Sequence, residues 1–258
     1  MEAPRAKAAA RPRRGRAARG SREHPSADMR RPDAKVVLLG GASVGKTSLL
    51  RRYTERRFPD SVSTVGGAFY LKPWRALHLS VWDTAGREQF HGLGSMYCRG
   101  AAAVILTYDV THPQSLAELE DRFLGLTDSA SKDCLFVIVG NKVDLVEQAR
   151  EGDGLGPGQV GEPCACPRVP KQVSREDAVA LYKKILRYRM LDERDAPAAE
   201  QMCFETSAKT GHNVDLLFET VFDMVVPMVL RQKAEEPVET VDITSQKPPK
   251  RTRSGCCA

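Results

Sequence analysis

The feature that most constrains this chain is a glycine-rich turn set between two different apolar patterns. Gly40-Gly41-Ala42-Ser43-Val44-Gly45-Lys46-Thr47 fits the spacing G-x-x-x-x-G-K-[ST]. The preceding run, Lys35-Val36-Val37-Leu38-Leu39, is short, continuous and apolar, as a buried strand is. The following stretch, Ser48-Leu49-Leu50-Arg51-Arg52-Tyr53, reads as a helix. A strand, a tight turn and a helix N-terminus aim several backbone N–H groups at one point, and such a point holds phosphate. Gly40, Gly41, Ala42, Ser43, Val44, Gly45 and Ser48 would form the cradle. Lys46 would reach the outer phosphates, and the Thr47 hydroxyl would ligate Mg²⁺.

At 258 residues and 41% apolar content, the chain can build one sizeable domain with tails. No run approaches the ~20 apolar residues of a membrane span. The N-terminus is rich in Ala and Arg and lacks the apolar segment of a signal peptide. Five His and seven Cys are scattered, with neither a disulfide framework nor a zinc ligand set, so a reducing compartment is the simpler expectation. The net charge of +6 is unevenly placed. Residues 1–28 hold eight of the 39 Lys/Arg and three of the 33 Asp/Glu, which leaves 31 basic and 30 acidic residues elsewhere. A nearly neutral body argues against nucleic acid as a partner.

Residues 1–32 are expected to be a basic, disordered extension. Met29 can itself be a start, and a transit peptide is the other reading of this Arg-rich segment, although its Pro and Gly content opposes an amphipathic helix. The domain is expected over 33–231, with strands and helices in alternation. Residues 77–82 alternate with period two, and 101–108 and 135–139 are apolar runs. Helices are expected over 113–126 and 174–187. Val214, Leu217, Phe218, Val221, Phe222 and Val225 form one apolar stripe of a last helix, which Pro227 should end or kink. This order implies an α/β fold with a mostly parallel sheet, helices on both faces and ligands at the carboxyl ends of the strands. Residues 146–172 contain five Gly and four Pro among 27 and read as a mobile surface insertion. Its Cys164 and Cys166 are two thiols, too few for a tetrahedral metal site. Residues 232–258 read as a disordered tail.

Three further motifs each follow a strand. In Asp83-Thr84-Ala85-Gly86, the Asp83 carboxylate can hold the Mg²⁺ water shell opposite Thr47, and Gly86 lets a backbone N–H approach the terminal phosphate. In Asn141-Lys142-Val143-Asp144, the Asp144 carboxylate can accept from guanine N1–H and the 2-amino group together, donors that adenine lacks. Asn141 and Lys142 would brace that loop and touch the purine. In Ser207-Ala208-Lys209, the Ala208 N–H can donate to guanine O6 and the Lys209 stem can cover the ring.

Four such motifs in this order make the chain resemble a Ras-superfamily small GTPase over about 33–231 and at its extreme C-terminus. Gly86-Arg87-Glu88-Gln89-Phe90, residues 96–101 and 106–111, and Phe58-Pro59-Asp60 with 64–69 resemble the Rab branch. The resemblance implies a single P-loop G domain with a six-stranded sheet, bound GTP or GDP, and Mg²⁺ held by Thr47, Thr64 and, through water, Asp83. It implies that Lys46, Thr64, Gly86 and the residue at Arg87 serve GTP hydrolysis. It implies an exchange factor, a GTPase-activating protein, a prenylation escort and GDP-dissociation inhibitor, and effectors met by an aromatic surface of Phe69, Trp74 and Trp82. Core packing is the alternative for those rings. Gly255-Cys256-Cys257-Ala258 is similar to the Rab pattern for two geranylgeranyl groups on Cys256 and Cys257. Two lipids anchor stably where one is marginal, and Lys247, Lys250, Arg251 and Arg253 would add attraction to anionic lipid. The implied location is the cytosolic face of Golgi, endosomal or phagosomal membranes.

The chain departs from the family at two catalytic positions. Arg87 stands where the family usually has the Gln that orients the attacking water, and a guanidinium has no acceptor for that water. Ala42 stands where Gly is frequent, and its methyl crowds the same region. Slow intrinsic hydrolysis is the expectation, and a GTP-loaded membrane scaffold is the alternative to a cycling switch.

Overall fold

The computed structural model describes residues 32–59, 63–86, 91–146 and 169–235, with no side chains described for 91–94. The extension 1–31, Arg87, the centre of the insertion (147–168) and the lipidation candidates Cys256 and Cys257 lie outside the described residues.

Six strands form one sheet in the order β2-β3-β1-β4-β5-β6. They are β1 (Ala34–Leu39), β2 (Gly67–Trp74), β3 (Leu77–Thr84), β4 (Ala103–Asp109), β5 (Leu135–Asn141) and β6 (Cys203–Glu205). All neighbours run parallel except β2 and β3, which form an antiparallel pair from Gly67↔Thr84 to Trp74↔Leu77. Consecutive residues Val36, Val37, Leu38 and Leu39 are all buried, as are Val104, Ile105 and Leu106, and Phe136 to Val139. Neighbouring strand residues point to opposite faces, so both faces of the sheet are covered by helices. The edge strand β2 instead alternates between exposed and half-buried, and it carries Pro73, which an edge tolerates.

The helices are α1 (Lys46–Glu55), α2 (His91–Cys98), α3 (Pro113–Glu118), α4 (Arg175–Tyr188), α5 (Ala199–Met202) and α6 (Val214–Glu235). α1 packs on α6 through Tyr53, which stacks on Phe218 with ring centroids 4.5 Å apart. α4 starts where a reciprocal cap forms. Ser174 Oγ accepts from the Asp177 N–H at 3.1 Å, and Asp177 accepts from the Ser174 N–H at 2.9 Å.

One helix expectation is corrected, and of the two outcomes expected at Pro227 one is removed. The stretch expected as one helix over 113–126 divides into α3, a π-helical turn at Leu119–Phe123 and a 3-10 turn at Gly125–Ser129. In that last turn the Thr127 hydroxyl donates to the Leu124 carbonyl at 2.6 Å, and Arg189 donates to the carbonyls of Thr127, Ala130 and Ser131. Those competing donors favour a tight turn over a continued α-helix. Pro227 does not end the last helix, which continues to Glu235. Pro227 is exposed, so water can satisfy the carbonyl its missing N–H leaves, while Val225, Val226 and Val229 keep the flanking turns buried.

Strand order reverses around β1: the chain continues to β3 on one side and to β4 on the other. The crevice beyond the carboxyl ends of the strands at such a point is where open α/β sheets bind ligands. The insertion leaves and rejoins the domain at one place, since Val146 and Val169 form a parallel bridge and the Val169 N–H donates to Leu145 at 2.9 Å.

Candidate functional site

A cavity of about 410 Å³ opens at that crevice. Its walls include Ala42, Ser43, Gly45, Lys46, Thr47 and Ser48 from the first motif and Thr64 and Gly86 from the second region. Asn141, Lys142, Asp144, Ala208 and Lys209 line the other end. Residues up to 167 positions apart thus share one cavity, because the segments that follow β1, β3, β5 and β6 all meet at the carboxyl ends of the parallel strands, with Thr64 joining them from the segment before β2.

At the phosphate end, α1 begins at Gly45, a left-handed residue with φ 100° that provides no side-chain cap. The first N–H groups of α1 are therefore available to an anion. A Cβ on Gly45 would lie 2.2 Å from Asn141 Nδ2, so only glycine fits there. Lys46 Nζ donates to the carbonyls of Gly40 and Gly41, each at 2.7 Å. Burial pushes the Lys46 ammonium down to about 8, opposed by the charges of Asp83 and Glu118. Gly40, Gly41 and Val44 do not line the cavity; the first two hold Lys46, and Val44 is buried behind the turn. Gly86 packs directly on the phosphate loop, where a Cβ would lie 2.3 Å from the Gly41 carbonyl.

Between the phosphate loop and β3 lies a cluster of oxygens. Thr47 Oγ1 donates to Asp83 Oδ2 at 2.7 Å, Thr64 Oγ1 donates to the same oxygen at 3.2 Å, and the two hydroxyls are 2.8 Å apart. Asp83 is 1% exposed, and among the described residues its Oδ1 has no hydrogen-bond partner. Burial raises the Asp83 carboxyl, while Thr47, Lys46 and Thr64 pull it back. Two hydroxyls and an under-satisfied buried carboxylate are hard oxygen donors, and they fit a small divalent cation such as Mg²⁺.

At the other end, Ser207 Oγ donates to Asp144 Oδ1 at 2.5 Å, which turns the carboxylate while leaving its second oxygen for a ligand. Ser207 is itself buried and does not line the cavity. Lys142 is left-handed, with φ 73°, and its ammonium lies 2.6 Å from Asp109 at the end of β4. Burial opposes ionisation of Asp109, but hydrogen bonds from Lys142 and Thr111 prevail and hold its carboxyl below the ordinary range. Asn141 does more than brace its own loop. Its Nδ2 donates to the Val44 carbonyl at 2.9 Å, and its Oδ1 accepts from the Ala208 N–H at 3.1 Å. It joins the phosphate loop to the base loop, and a contact of Ala208 with guanine O6 would share that N–H.

Phe58 and Thr84, both inside motifs already named, also line the cavity, as do Ser63 and Leu145, which no motif singles out. Phe58 is 47% exposed just beyond α1. Glu118 had no signal in the sequence. Its Oε2 would lie 2.3 Å from a Cβ on Gly41, a proximity across α3 and β1 that only folding creates.

The aromatic residues divide. Phe69 is 59% exposed and 5.6 Å from the half-buried Trp82, which is 6.0 Å from Tyr97, so these rings form one surface cluster. Trp74 leaves the expected group: it packs edge-on against Phe222 at 5.5 Å, and its Nε1 donates to Asp223 at 2.9 Å. Trp74 lies at the far end of β2, which carries its ring onto α6.

The Ras family model matches residues 35–226. The chain is 74% identical over 234 residues to the Ras-related protein Rab-20 of Homo sapiens, covering 89% of this chain and 100% of that relative. The same values hold for the Ras-related protein Rab-20 of Mus musculus. The Ras-related protein RABC2a of Arabidopsis thaliana is 32% identical over 234 residues, 87% of this chain and 93% of its own. A six-stranded sheet with the phosphate loop at its switch point, and this similarity along nearly the whole described length, agree: the chain belongs to the Ras family, as a Rab GTPase.

Proposed function

We propose that this protein is a membrane-anchored GTP/GDP switch that hydrolyses GTP slowly by itself and recruits effectors in vesicle traffic. The observation that carries this reading is one cavity with a phosphate cradle at one end and the Asp144 carboxylate at the other, spanned by Asn141. Lys46 and the N-terminal amides of α1 bind the phosphates, and Asp144, Ala208 and Lys209 select the base. Mg²⁺, held by Thr47 and Thr64 and through water by Asp83, would neutralise charge on the phosphate oxygens. In hydrolysis a water attacks the γ-phosphorus, the bond to the β–γ bridging oxygen breaks, and GDP and phosphate leave. Thr64 and Gly86 belong to the segments that a γ-phosphate would order, and effectors would read that order.

Exposed Phe69 beside Trp82 and Tyr97 supports an effector surface on β2, β3 and α2. Family membership supports an exchange factor, an activating protein, a prenylation escort and GDP-dissociation inhibitor as partners. Lipids on Cys256 and Cys257 would hold the protein on the cytosolic face of Golgi, endosomal or phagosomal membranes. No helix among the described residues is long and apolar enough to cross a membrane.

Calorimetry with GTP, GDP and ATP tests the site: binding of guanine nucleotide at least a hundredfold tighter than ATP is expected, and equal affinity refutes it. Single-turnover hydrolysis tests Arg87. The Arg87→Gln variant should be faster than the wild type, and an equal or slower rate removes the claim of slow hydrolysis. Nucleotide carried through purification separates the two readings, since mostly GDP supports a cycling switch and mostly GTP a loaded scaffold.

A further inference from the structure

Arg52, outside every nucleotide-binding motif, grips the back of the base-reading loop. It lies on α1, six residues beyond Lys46, and its side chain is half-buried. Its Nε donates to the Ala208 carbonyl at 2.7 Å, one Nη donates to the Lys209 carbonyl, and the other reaches the Arg56 carbonyl at 3.2 Å. The loop closes around the stem: a Cβ on Gly211 would touch Arg52 Cδ at 3.7 Å. A guanidinium offers a rigid planar fork of donors, so two adjacent carbonyls are held in a fixed relation to α1.

Ala208 and Lys209 both line the nucleotide cavity. Fixing their carbonyls fixes their peptide planes, because each unit is planar and trans. The Ala208–Lys209 unit carries the Lys209 N–H; the Ala208 N–H lies in the preceding unit, joined to it at the Ala208 Cα, and Asn141 Oδ1 accepts it at 3.1 Å, so Arg52 and Asn141 hold Ala208 from its two sides. The same helix supplies Lys46, Thr47 and Ser48 at the phosphate end. α1 therefore reaches both ends of the cavity, one through its N-terminus and the other through Arg52.

We infer that Arg52 is a positioning residue for guanine recognition: it locks the Ser207–Lys209 wall to the phosphate-binding helix and so sets the geometry in which the Ala208 N–H meets the base oxygen. This inference rests on the nucleotide reading of the cavity. A structural role alone, in which Arg52 merely stabilises α1, would weaken every nucleotide equally. The positioning role weakens those that present an oxygen at purine position 6.

The experiment is an affinity cycle on the full chain with Mg²⁺. Wild type and Arg52→Met are each titrated with GDP and with 2-aminopurine riboside diphosphate, which keeps the 2-amino group and lacks O6. GDP affinity should fall about tenfold to a hundredfold in the variant, the range for losing hydrogen bonds from a charged donor. The O6-lacking nucleotide should change by less than about threefold. Arg52→Lys keeps the charge and the stem but not the fork, so it should show the same selectivity at smaller amplitude, and it carries the comparison if Arg52→Met does not fold. Equal losses for both nucleotides, or no loss for either, overturn the inference. Failure of the wild type to prefer GDP over ADP would instead overturn the reading of the cavity.

Discussion

Replacing Asn141 with alanine should separate the two ends of the nucleotide site. Asn141 is 1% exposed at the end of β5. Its amide donates to the Val44 carbonyl at 2.9 Å and accepts from the Ala208 N–H at 3.1 Å and the Thr206 hydroxyl at 3.4 Å. The Asn141→Ala variant leaves Val44 and Ala208 without those partners, at about 1–3 kcal/mol for each buried group. The void adjoins Gly45, and through it the cavity, so water can enter and reduce the loss toward the lower bound. Together these give about 2–4 kcal/mol, the third bond being too long to add much. The loss should fall mainly on nucleotide affinity, because under the proposed function the ligand would touch both loops that Asn141 joins. GDP release, followed by a fluorescent analogue, should accelerate about thirtyfold to several hundredfold. Urea unfolding of the nucleotide-free protein should shift by the smaller remainder. If GDP release stays within threefold of wild type while the variant remains folded, Asn141 is not the bridge its geometry describes.

Other outcomes follow from the same geometry. Gly45→Ala, with a left-handed φ of 100° and a Cβ 2.2 Å from Asn141 Nδ2, should abolish detectable nucleotide binding, checked by nucleotide content after purification. Trp74→Ala should lower stability by about 2 kcal/mol in denaturant without altering GDP affinity, because the ring serves the β2–α6 contact. Phe69→Ala, at an exposed ring, should leave stability within about 0.5 kcal/mol and reduce effector capture by the GTP form. The Asp109 carboxyl is held below its ordinary value, so its ion pair with Lys142 contributes fully above pH ~4 and is lost as pH falls through the depressed value. Thermal stability should therefore decline on the acid side below pH ~4, and Asp109→Asn should be less stable near neutrality with a shallower acid limb.

Much of the nucleotide site was legible because its chemistry is local. A phosphate cradle needs a strand, a turn and a helix N-terminus in succession, and the continuous stretch from Lys35 to Tyr53 encodes all three. Asp83, Asn141 and Ser207 were legible for a related reason, since in a parallel sheet a motif just beyond an apolar run falls at the ligand-bearing edge. Apolar period also announced α6. What local pattern does not contain is partnership. Pro227 looks like a stop until its exposure and buried neighbours are known, and Trp74 resembles Phe69 in sequence until strand length carries one ring to α6 and leaves the other in solvent. The 113–126 stretch has helical spacing, but the distant Arg189 captures the carbonyls at its end.

The amino-acid order alone determined which short segments can bind phosphate, cation and base, because each uses backbone groups and side chains within a few residues of one another. Tertiary structure decided which side chains hold those segments in one site. Asn141 joins loops 97 and 67 residues away, and Arg52 reaches a loop 156 residues away. Such bonds depend on where strand ends and helix faces come to rest, and that position is set by the packing of the whole sheet.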